Sequence, residues 1–502
     1  MKKFTALIII LALCLFPAVL ISCGDGGGAN QDGGDNPNNN ISGSGDSVNQ
    51  DGENPSVGEA RIEPELPEKD FENYTFTFFA HQIDYPGDWV GDSDPREIVA
   101  EEENADPIND AVYIRNRKIE AEYNINIEMI ARPDDVGILR RAVGSGDSTY
   151  DAAVIFNNNI PGVVTNNLLV NIDNLQFVDI DKPWWDPAVK EMSIANQNYL
   201  LGGDLLILDN EATNGLLFNK DLMADFGIEL PYNLVKSGKW TMDAMHDMIK
   251  GAEADLNGDG TMGPEDRWGF VVGIDVLHAL LVSGGGLLAE KDENDVPYMT
   301  FTNPKNLLIL DKTMELLYNP EYVVNIHTRE EYGDYHSMFE DGRVLFLWMR
   351  MRVVESLRGM EGNFGIIPMP KFDENQENYH SVVNPYTGVL LGVPKSAEDL
   401  ERVSIVLEAL SAESRYTLQP AYYDVTLQRK HMRDEESSEM LDIIFNSRVY
   451  DIGGVYSFGG VWRDFIELSR NNNRNIISFY EGRLARMERD IERIVETFMS
   501  ME

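Results

Sequence analysis

Short apolar runs alternate with amphipathic stretches between residues 74 and 156, and this pattern predicts an α/β fold. Apolar runs of strand length occupy 74–80, 125–130 and 151–156. Apolar residues at helical spacing mark the two intervals, 107–123 and 136–143. Alternating strands and helices are typical of a parallel sheet covered by helices.

Two polar positions follow strands of this predicted sheet. His81 comes directly after the first strand, and Asn157 comes directly after the third. Ligands of open parallel sheets bind beyond the carboxyl ends of the strands, so both residues are candidate ligand contacts. For His81, an ordinary surface histidine is the competing interpretation.

The stretch 199–222 contains two apolar, strand-like runs, 200–208 and 215–218, with a polar break between them. The break begins Asp209, Asn210, Glu211 and is too polar for the middle of a buried strand. One interpretation is a chain that crosses between two domains, with these three side chains lining a ligand cleft. The other is a β-hairpin with a polar turn. The stretch alone leaves both open.

A twelve-residue segment, 255–266, has the spacing of an EF-hand calcium loop. It follows a helix that is predicted to begin after Thr241, an N-cap residue, and to end near residue 254. Position 6 is glycine, which permits the required bend. The candidate Ca²⁺ ligands at positions 1, 3, 5, 7 and 12 are Asp255, Asn257, Asp259, Thr261 and Asp266. A surface turn without metal is the alternative, and a bound Ca²⁺ would have a structural role.

The rest of the chain continues the mixed pattern of helices and strands. Further helices are predicted at 303–318, 397–410 and 482–501. Further strands are predicted at 344–349, 363–370 and 389–394.

The chain has 502 residues, which is enough for two or three domains. It carries 85 acidic residues against 41 lysines and arginines, a formal net charge of −44. Such a surface repels nucleic acid and anionic membranes, so neither is expected as a partner.

The N-terminus has the pattern of an export signal. A basic start and an apolar run lead to Leu-Ile-Ser-Cys, which predicts a signal peptide over 1–22. This ending resembles the bacterial lipobox, after which Cys23 is diacylated. An uncleaved membrane anchor is the alternative. The only other cysteine, Cys14, lies inside the signal, so no disulfide is expected. Residues 23–70 would be the lipidated cysteine and a flexible tether rich in Gly, Asn, Asp and Ser.

Several motifs occur in an order that resembles the extracellular solute-binding proteins of bacterial ABC importers, of the family 1 carbohydrate type. The motifs are YTFTFFA, DAAVIF, LLFNKDL, KWTMDAMHDMIKGAEADLNGDGTMGPEDRWGF, MFEDGRVLFLW, NFGIIPMP and TGVLLGVPK. The resemblance covers essentially all of the chain after the tether. The length of the chain and an acidic insertion at 88–92 depart from the family pattern.

The resemblance implies a two-lobed, type II periplasmic-binding-protein-like α/β fold, with hinge strands and a ligand cleft between the lobes. It implies a first lobe formed by 71–210 with 363–416. The second lobe would be formed by 211–362 with 417–502.

The resemblance also implies aromatic contacts to a sugar. Trp348 lies in the strand after FEDGR, where sugar-binding relatives often place a stacking aromatic residue, and Trp462 matches the aromatic residue of their C-terminal lobe helix. Trp240 and Tyr386 complete the candidate set, and Asn157, Asp209, Asn210 and Glu211 are candidate partners of sugar hydroxyls. For each tryptophan, a place in the core is the competing interpretation.

The expected function is that of a monomeric, lipid-anchored binding protein at the extracellular face of the cytoplasmic membrane. It would capture a sugar or oligosaccharide by hinged closure and deliver it to the transmembrane subunits of an ABC permease, without catalysis. One rival is an exported carbohydrate-active hydrolase with a pair of carboxylates. Against this rival, the chain lacks Gly-x-Ser-x-Gly and His-Glu-x-x-His motifs. Another rival keeps the fold but binds a peptide or other solute.

Overall fold

The computed structural model describes residues 61–81, 95–133, 135–326, 335–427 and 435–501. The predicted signal peptide, Cys23, most of the predicted tether and the 88–92 insertion lie outside these ranges. Within them, no helix combines the length and the apolar character that a membrane crossing requires.

Helices make up most of the regular structure in the described ranges. They are α1 (Pro107–Tyr123), α2 (Asp135–Ser145), α3 (Ile160–Val164), α4 (Leu208–Ala212), α5 (Lys220–Phe226), α6 (Tyr232–Lys236), α7 (Met242–Ile249), α8 (Val276–Ser283), α9 (Pro304–Leu317), α10 (Tyr335–Glu340), α11 (Val353–Ser356), α12 (Leu400–Ser414), α13 (Leu418–Leu427), α14 (Glu435–Asn446), α15 (Ile452–Tyr456), α16 (Val461–Arg470) and α17 (Ile476–Ser500).

The strands form two larger sheets and two small ones. They are β1 (Tyr74–His81), β2 (Ile125–Arg132), β3 (Ala152–Phe156), β4 (Asn214–Asn219), β5 (Trp268–Val272), β6 (Ala289–Lys291), β7 (Pro297–Met299), β8 (Val323–Asn325), β9 (Val344–Arg350), β10 (Phe364–Ile367), β11 (Ser381–Val382), β12 (Val389–Gly392) and β13 (Arg448–Val449).

The first sheet has the strand order β12-β3-β1-β2, and the second has the order β10-β4-β9-β5-β8. In the first sheet β1 runs parallel to β2 and β3, and β12 is antiparallel to β3. In the second sheet β5 is parallel to β8 and β9, and β4 is antiparallel to β9 and β10. The predicted strands at 74–80, 125–130 and 151–156 and the helices between them are confirmed, with bounds shifted by at most two residues.

Local signals explain where α1 begins and ends. The Asp106 side chain accepts the backbone N–H groups of Ile108 and Asn109, and proline occupies the first turn. The helix ends at Asn124, which takes a left-handed conformation with φ of 49°. These caps satisfy backbone groups that the helix itself leaves unpaired.

Three hydrophobic cores follow from this topology. The first core packs α1 and α12 on one face of the first sheet and includes Phe78 and Leu391. The second core covers the other face of that sheet and includes Phe79 and Leu390. Adjacent strand residues enter different cores because successive side chains point to opposite faces. The third core surrounds the second sheet and includes Phe346.

The chain crosses between the two larger sheets at the expected first place, but it returns to the first sheet later than expected. Residues 200–208 form no extended strand in this structure; an isolated bridge pairs Leu201 with Leu391, and the short helix α4 then leads into β4 of the second sheet. The stretch is therefore a crossing between sheets and not a hairpin. The expected return to the first lobe near residue 363 is wrong, because β10 pairs with β4 in the second sheet. The return lies after β11, where Val383 already belongs to the second core.

A last crossing lies near Tyr416, as expected. Helix α12 packs in the first core, whereas Leu418, at the start of α13, packs in the third. Helix α17 contributes Met487 to the third core and Ile491 to the second. The C-terminal segment therefore belongs to both lobes and not only to the second. Helix α7 also differs from expectation, since it ends at Ile249 rather than near residue 254.

Candidate functional site

Strand ends of the first sheet bring His81 and Asn157 close to one another, as the sequence predicted. The His81 ring packs edge-on against Phe156 at the end of β3, with 5.1 Å between ring centroids. Asn157 comes next and is fully buried, and its backbone N–H donates to the carbonyl of Gly388 at 2.8 Å. A Cβ at Gly388 would lie 2.5 Å from the Asn157 amide nitrogen, so only glycine permits this approach.

The Asn157 side chain has unused hydrogen-bonding capacity. Among the described residues, neither its amide oxygen nor its amide nitrogen has a hydrogen-bond partner. Leaving a buried polar group unpaired costs about 1–3 kcal/mol. Such a group in a native structure requires an explanation, and a ligand that supplies the missing partner is one.

The carboxyl ends of strands in the second sheet contribute Trp348 and Arg350. Trp348 is only 3% exposed, and its ring packs so closely on Gly273, just after β5, that a Cβ there would lie 2.6 Å from the ring. Its indole N–H also lacks a partner among the described residues. Trp348 is thus largely a core residue, as the competing interpretation held. Its ring nevertheless lies at the end of the second sheet where a ligand is expected.

A crossing segment, residues 384–388, connects the ends of the two sheets. The Asn384 side chain donates to Asp275 at 2.7 Å, and Arg350 donates to the Thr387 hydroxyl at 3.0 Å. We call the strand ends of both sheets and this segment the cleft edge. Tyr386 lies on the segment and is 48% exposed, which makes it an accessible aromatic residue at this edge.

Trp462 lies on α16 beside a buried histidine. The His278 ring packs edge-on against Trp462, with centroids 4.8 Å apart, and hydrogen-bonds to Asp451 at 2.8 Å. Asp451 also accepts the backbone N–H groups of Leu288 and Gly453. Trp462 is half-buried, so part of its surface remains accessible.

Trp240 does not belong to the cleft edge, and its assignment as a ligand contact is wrong in this structure. It is fully buried in the third core and stacks on Phe346, with centroids 5.7 Å apart. Its indole N–H donates to the Pro368 carbonyl at 2.9 Å. No surface or polar atom of Trp240 is left for a ligand.

The polar break of the sequence forms α4, and its charged side chains are buried in ion pairs. Glu211 bonds Arg96 at 2.6 Å and Arg352 at 3.0 Å. Arg448 lies 3.4 Å from Asp209 and also donates to the Asn210 side chain. The Asp209 and Glu211 carboxylates therefore hold together α4, the crossing between the sheets that we call the hinge, which corrects their expected role as direct ligand contacts. The role of Asn210 as a ligand contact stays a prediction.

Burial changes the acidity of Asp209. Loss of water raises the pKa of this carboxyl to about 6, even though Arg448 acts in the opposite direction. Arg448 keeps its charge, because Asp186 and Asp209 together outweigh its burial and raise the pKa of the guanidinium.

Sequence reasoning missed the residues that connect these features. Asn384, Asp275, Arg350 and His278 were not singled out, and neither were the arginines that neutralise α4. Asn384 was the only one of these residues with a local sequence signal, because it directly precedes Pro385 in a turn. Asparagine side chains commonly accept the backbone N–H two residues on, as Asn384 does from Tyr386.

The segment 255–266 forms a tight acidic loop. The two carboxylate oxygens of Asp255 accept the N–H groups of Gly258 and Gly260, which have φ of 75° and 81°. Asp266 is buried and accepts the N–H groups of Leu256 and Gly263. Across the described ranges, no three or more His, Cys, Asp or Glu side chains are grouped so that they could hold a metal ion.

Comparison with known proteins places this fold in a family. The model of the bacterial extracellular solute-binding protein family matches residues 106–403, which is more than half of the chain. A comparison with curated proteins finds none that matches.

Solved structures give the same fold at low sequence identity. UspC from Mycobacterium tuberculosis superposes with a TM-score of 0.55 at 14% identity, covering 83% of this chain and 100% of UspC. A cyclo/maltodextrin-binding protein complexed with maltotetraose has a TM-score of 0.52 at 12% identity, covering 88% and 100%. The apo form of RafE from Streptococcus pneumoniae has a TM-score of 0.50 at 13% identity, covering 86% and 98%.

Proposed function

The chain belongs to the bacterial extracellular solute-binding protein family, and from this premise we propose that it captures a sugar or oligosaccharide at the cleft edge. It then delivers the sugar to the transmembrane subunits of an ABC permease. The bound maltotetraose of the cyclo/maltodextrin-binding protein supports a carbohydrate as the ligand class.

The unpartnered Asn157 amide is the observation that carries this proposal. An amide presents both a donor and an acceptor, which is the pattern that a sugar hydroxyl satisfies. Tyr386 and Trp462 provide accessible aromatic surface, and such surface packs against the C–H faces of a pyranose. A peptide or other solute remains the alternative ligand.

Hinged closure is the proposed mechanism of capture. The chain crosses between the sheets at α4, at residues 383–388 and near Tyr416, and these crossings are the places where the backbone can bend. Closing would bring the strand ends of the two sheets together around the ligand.

Binding without catalysis is expected from the family, whose members are binding proteins. The buried carboxylates of α4 are neutralised by arginines, as in the pair between Glu211 and Arg96. Such pairing suits a structural role better than that of the acid and nucleophile of a glycosidase. Turnover of a glycoside that a single carboxylate substitution abolishes would contradict this proposal.

The family is extracellular, and the lipid anchor is a proposal that rests on the sequence at Cys23. Cys23→Ser should leave the protein unlipidated and free of the membrane fraction. Mass spectrometry of the mature N-terminus of both forms is the measurement, and an unmodified Cys23 in the wild-type chain would contradict it.

Structural calcium at Asp255, Asn257, Asp259, Thr261 and Asp266 also remains a proposal. The positions fit the EF-hand spacing, and oxygen lone pairs remain on carboxylates that already accept backbone N–H groups. Calcium should raise the melting temperature of the wild-type chain and leave that of Asp259→Ala unchanged. Equal melting with Ca²⁺ and with a chelator would contradict it.

Thermal melting against a panel of mono- and oligosaccharides tests the main proposal. A ligand that binds only the folded state raises the melting temperature by mass action, about 2.7 kcal/mol of stabilisation at a hundred times Kd. Trp462→Ala should reduce that shift. A shift from peptides alone would move the ligand class to peptides, and a full sugar shift in Trp462→Ala would remove this aromatic contact from the site.

A further inference from the structure

A cavity of about 570 Å³ lies beside the hinge and is separate from the cleft edge. One wall comes from residues 183–188 and 203–204, where Trp185 belongs to the first core. Another part of the lining comes from α13 and α14, where Phe445 belongs to the third core. Asn210 of α4 and Arg448 of β13 also line this hinge cavity.

The cavity lining carries charges of both signs, and these charges form ion pairs with one another. Arg448 lies 3.0 Å from Asp186, and Arg415 lies 3.3 Å from Asp204. A cationic ligand would be repelled by the arginines, and an anionic ligand by the aspartates. The lining therefore favours a neutral ligand that both donates and accepts hydrogen bonds.

Some of this hydrogen-bonding capacity is unused. The Arg448 Nε–H is buried and has no partner among the described residues. Asp442 lines the cavity and makes no hydrogen bond or ion pair with any described residue. Asp442 thus offers a free carboxylate in the cavity lining, whereas the unpartnered Arg448 Nε–H lies behind the lining without exposed surface.

Aromatic rings complete the lining. Tyr423 and Phe445 pack edge-on, with centroids 5.4 Å apart. The Trp185 indole N–H already donates to Glu408 at 2.8 Å, so this ring offers the cavity only apolar surface. Flat aromatic surfaces beside paired Asp and Arg side chains suit a molecule with alternating C–H and hydroxyl faces.

We propose that the hinge cavity is a second binding site for a neutral, polyhydroxylated molecule of the size of a mono- or disaccharide. Its volume lies within the range of about 300–1,000 Å³ that small-molecule sites occupy. Its walls belong to different cores, so a ligand there contacts both sides of the hinge. This site does not depend on which ligand the cleft edge binds.

Calorimetric titration of the full chain with glucose, galactose, maltose and sucrose tests the proposal. The detergent must lack a sugar headgroup, since such a headgroup could itself occupy the cavity. Asp442→Ala and Tyr423→Ala each remove one side chain of the cavity. Asp424→Ala is the matched control, because it removes an exposed carboxylate next to Tyr423 that does not line the cavity.

At least one sugar should bind the wild-type chain, with a Kd that rises tenfold or more in both cavity variants and stays within twofold in Asp424→Ala. Circular dichroism verifies that each variant is folded. If either cavity variant fails to fold, Asn446→Trp, which places a large ring at an exposed position of the lining, should cause the same loss.

The two binding proposals fail in different ways. Sugar binding that is weakened by Trp462→Ala but unchanged in the cavity variants would overturn the second site and leave the cleft edge in place. Binding that is weakened only in the cavity variants supports the second site and counts against the cleft edge. No binding of any of the four sugars would overturn the second site.

Discussion

The cleft edge and the α4 carboxylates of the hinge are both buried and polar, but they differ in whether these polar groups have partners. At the hinge, Glu211 bonds two arginines. At the cleft edge, the Asn157 amide and the Trp348 indole N–H have no partner among the described residues. A satisfied polar network stabilises the fold, whereas an unsatisfied buried group costs stability until something binds it. The ion pairs of α4 thus stabilise the fold, whereas the unpaired groups of the cleft edge are left for a ligand.

This difference predicts that the largest loss of stability comes from the hinge. Glu211→Ala would leave Arg96 and Arg352 without their shared carboxylate. Removing one member of a buried pair costs about 3–5 kcal/mol, and the partial exposure of both arginines reduces this to about 2–3 kcal/mol. Urea denaturation measures the change.

Glu355→Ala is the matched control for that experiment. Glu355 also bonds Arg96, at 2.9 Å, but its side chain is 31% exposed. An exposed pair contributes about 0–1 kcal/mol, so this variant should be nearly as stable as the wild type. Equal losses in both variants would mean that burial does not distinguish the hinge pair.

A second effect is expected from Asp209, and it depends on pH. Its folded pKa of about 6 lies above the ordinary 3.8, so the folded chain holds a proton between these values that the unfolded chain releases. Stability from this group is therefore present at low pH and is lost as the pH rises from about 4 to about 6. The loss is at most about 3 kcal/mol, from two pKa units at about 1.4 kcal/mol each.

Asp209→Asn removes the titration and keeps the shape of the side chain. The free energy of unfolding of wild type minus that of Asp209→Asn should fall between pH 4 and pH 6 and stay constant above. Arg448 remains charged throughout this range, so it adds no slope of its own. A difference that does not change with pH would show that Asp209 titrates normally and that its burial has no net cost.

The sequence predicted local structure well and the hinge poorly, for a physical reason. The strands of the first sheet and α1 follow from apolar spacing and from the Asp106 cap, which are local signals. The partners of α4 are not local, since Arg352 lies 141 positions from Glu211 and Arg448 lies 239 positions from Asp209. Acidic residues in a break look the same whether a ligand or a distant arginine pairs with them.

Trp240 and Asn157 illustrate the same limit at the candidate site. A tryptophan before an N-cap threonine is equally compatible with a core or a cleft, and only the fold shows that Trp240 reaches the Pro368 carbonyl. Asn157 was identified because its place after a strand determines which edge of the sheet it occupies. The place of a residue after a strand was therefore a better predictor of its location at the sheet edge than its residue type.

The smallest effect on stability is expected at Asn157. Substitution there tests directly whether the unpaired groups of the cleft edge bind a ligand and contribute little to stability. Asn157→Ala removes the cost of a buried amide that has no partner, but it also removes packing contacts of this buried side chain. Because the two effects oppose one another, the free energy of unfolding should change by less than about 1 kcal/mol in the absence of ligand. The melting shift caused by the sugar should fall, because the ligand loses that partner. Asn166→Ala, at an exposed position nearby in the chain, is the control and should keep the full shift. A large loss of stability with an unchanged sugar shift would place Asn157 with the hinge residues, as a structural group rather than a ligand contact.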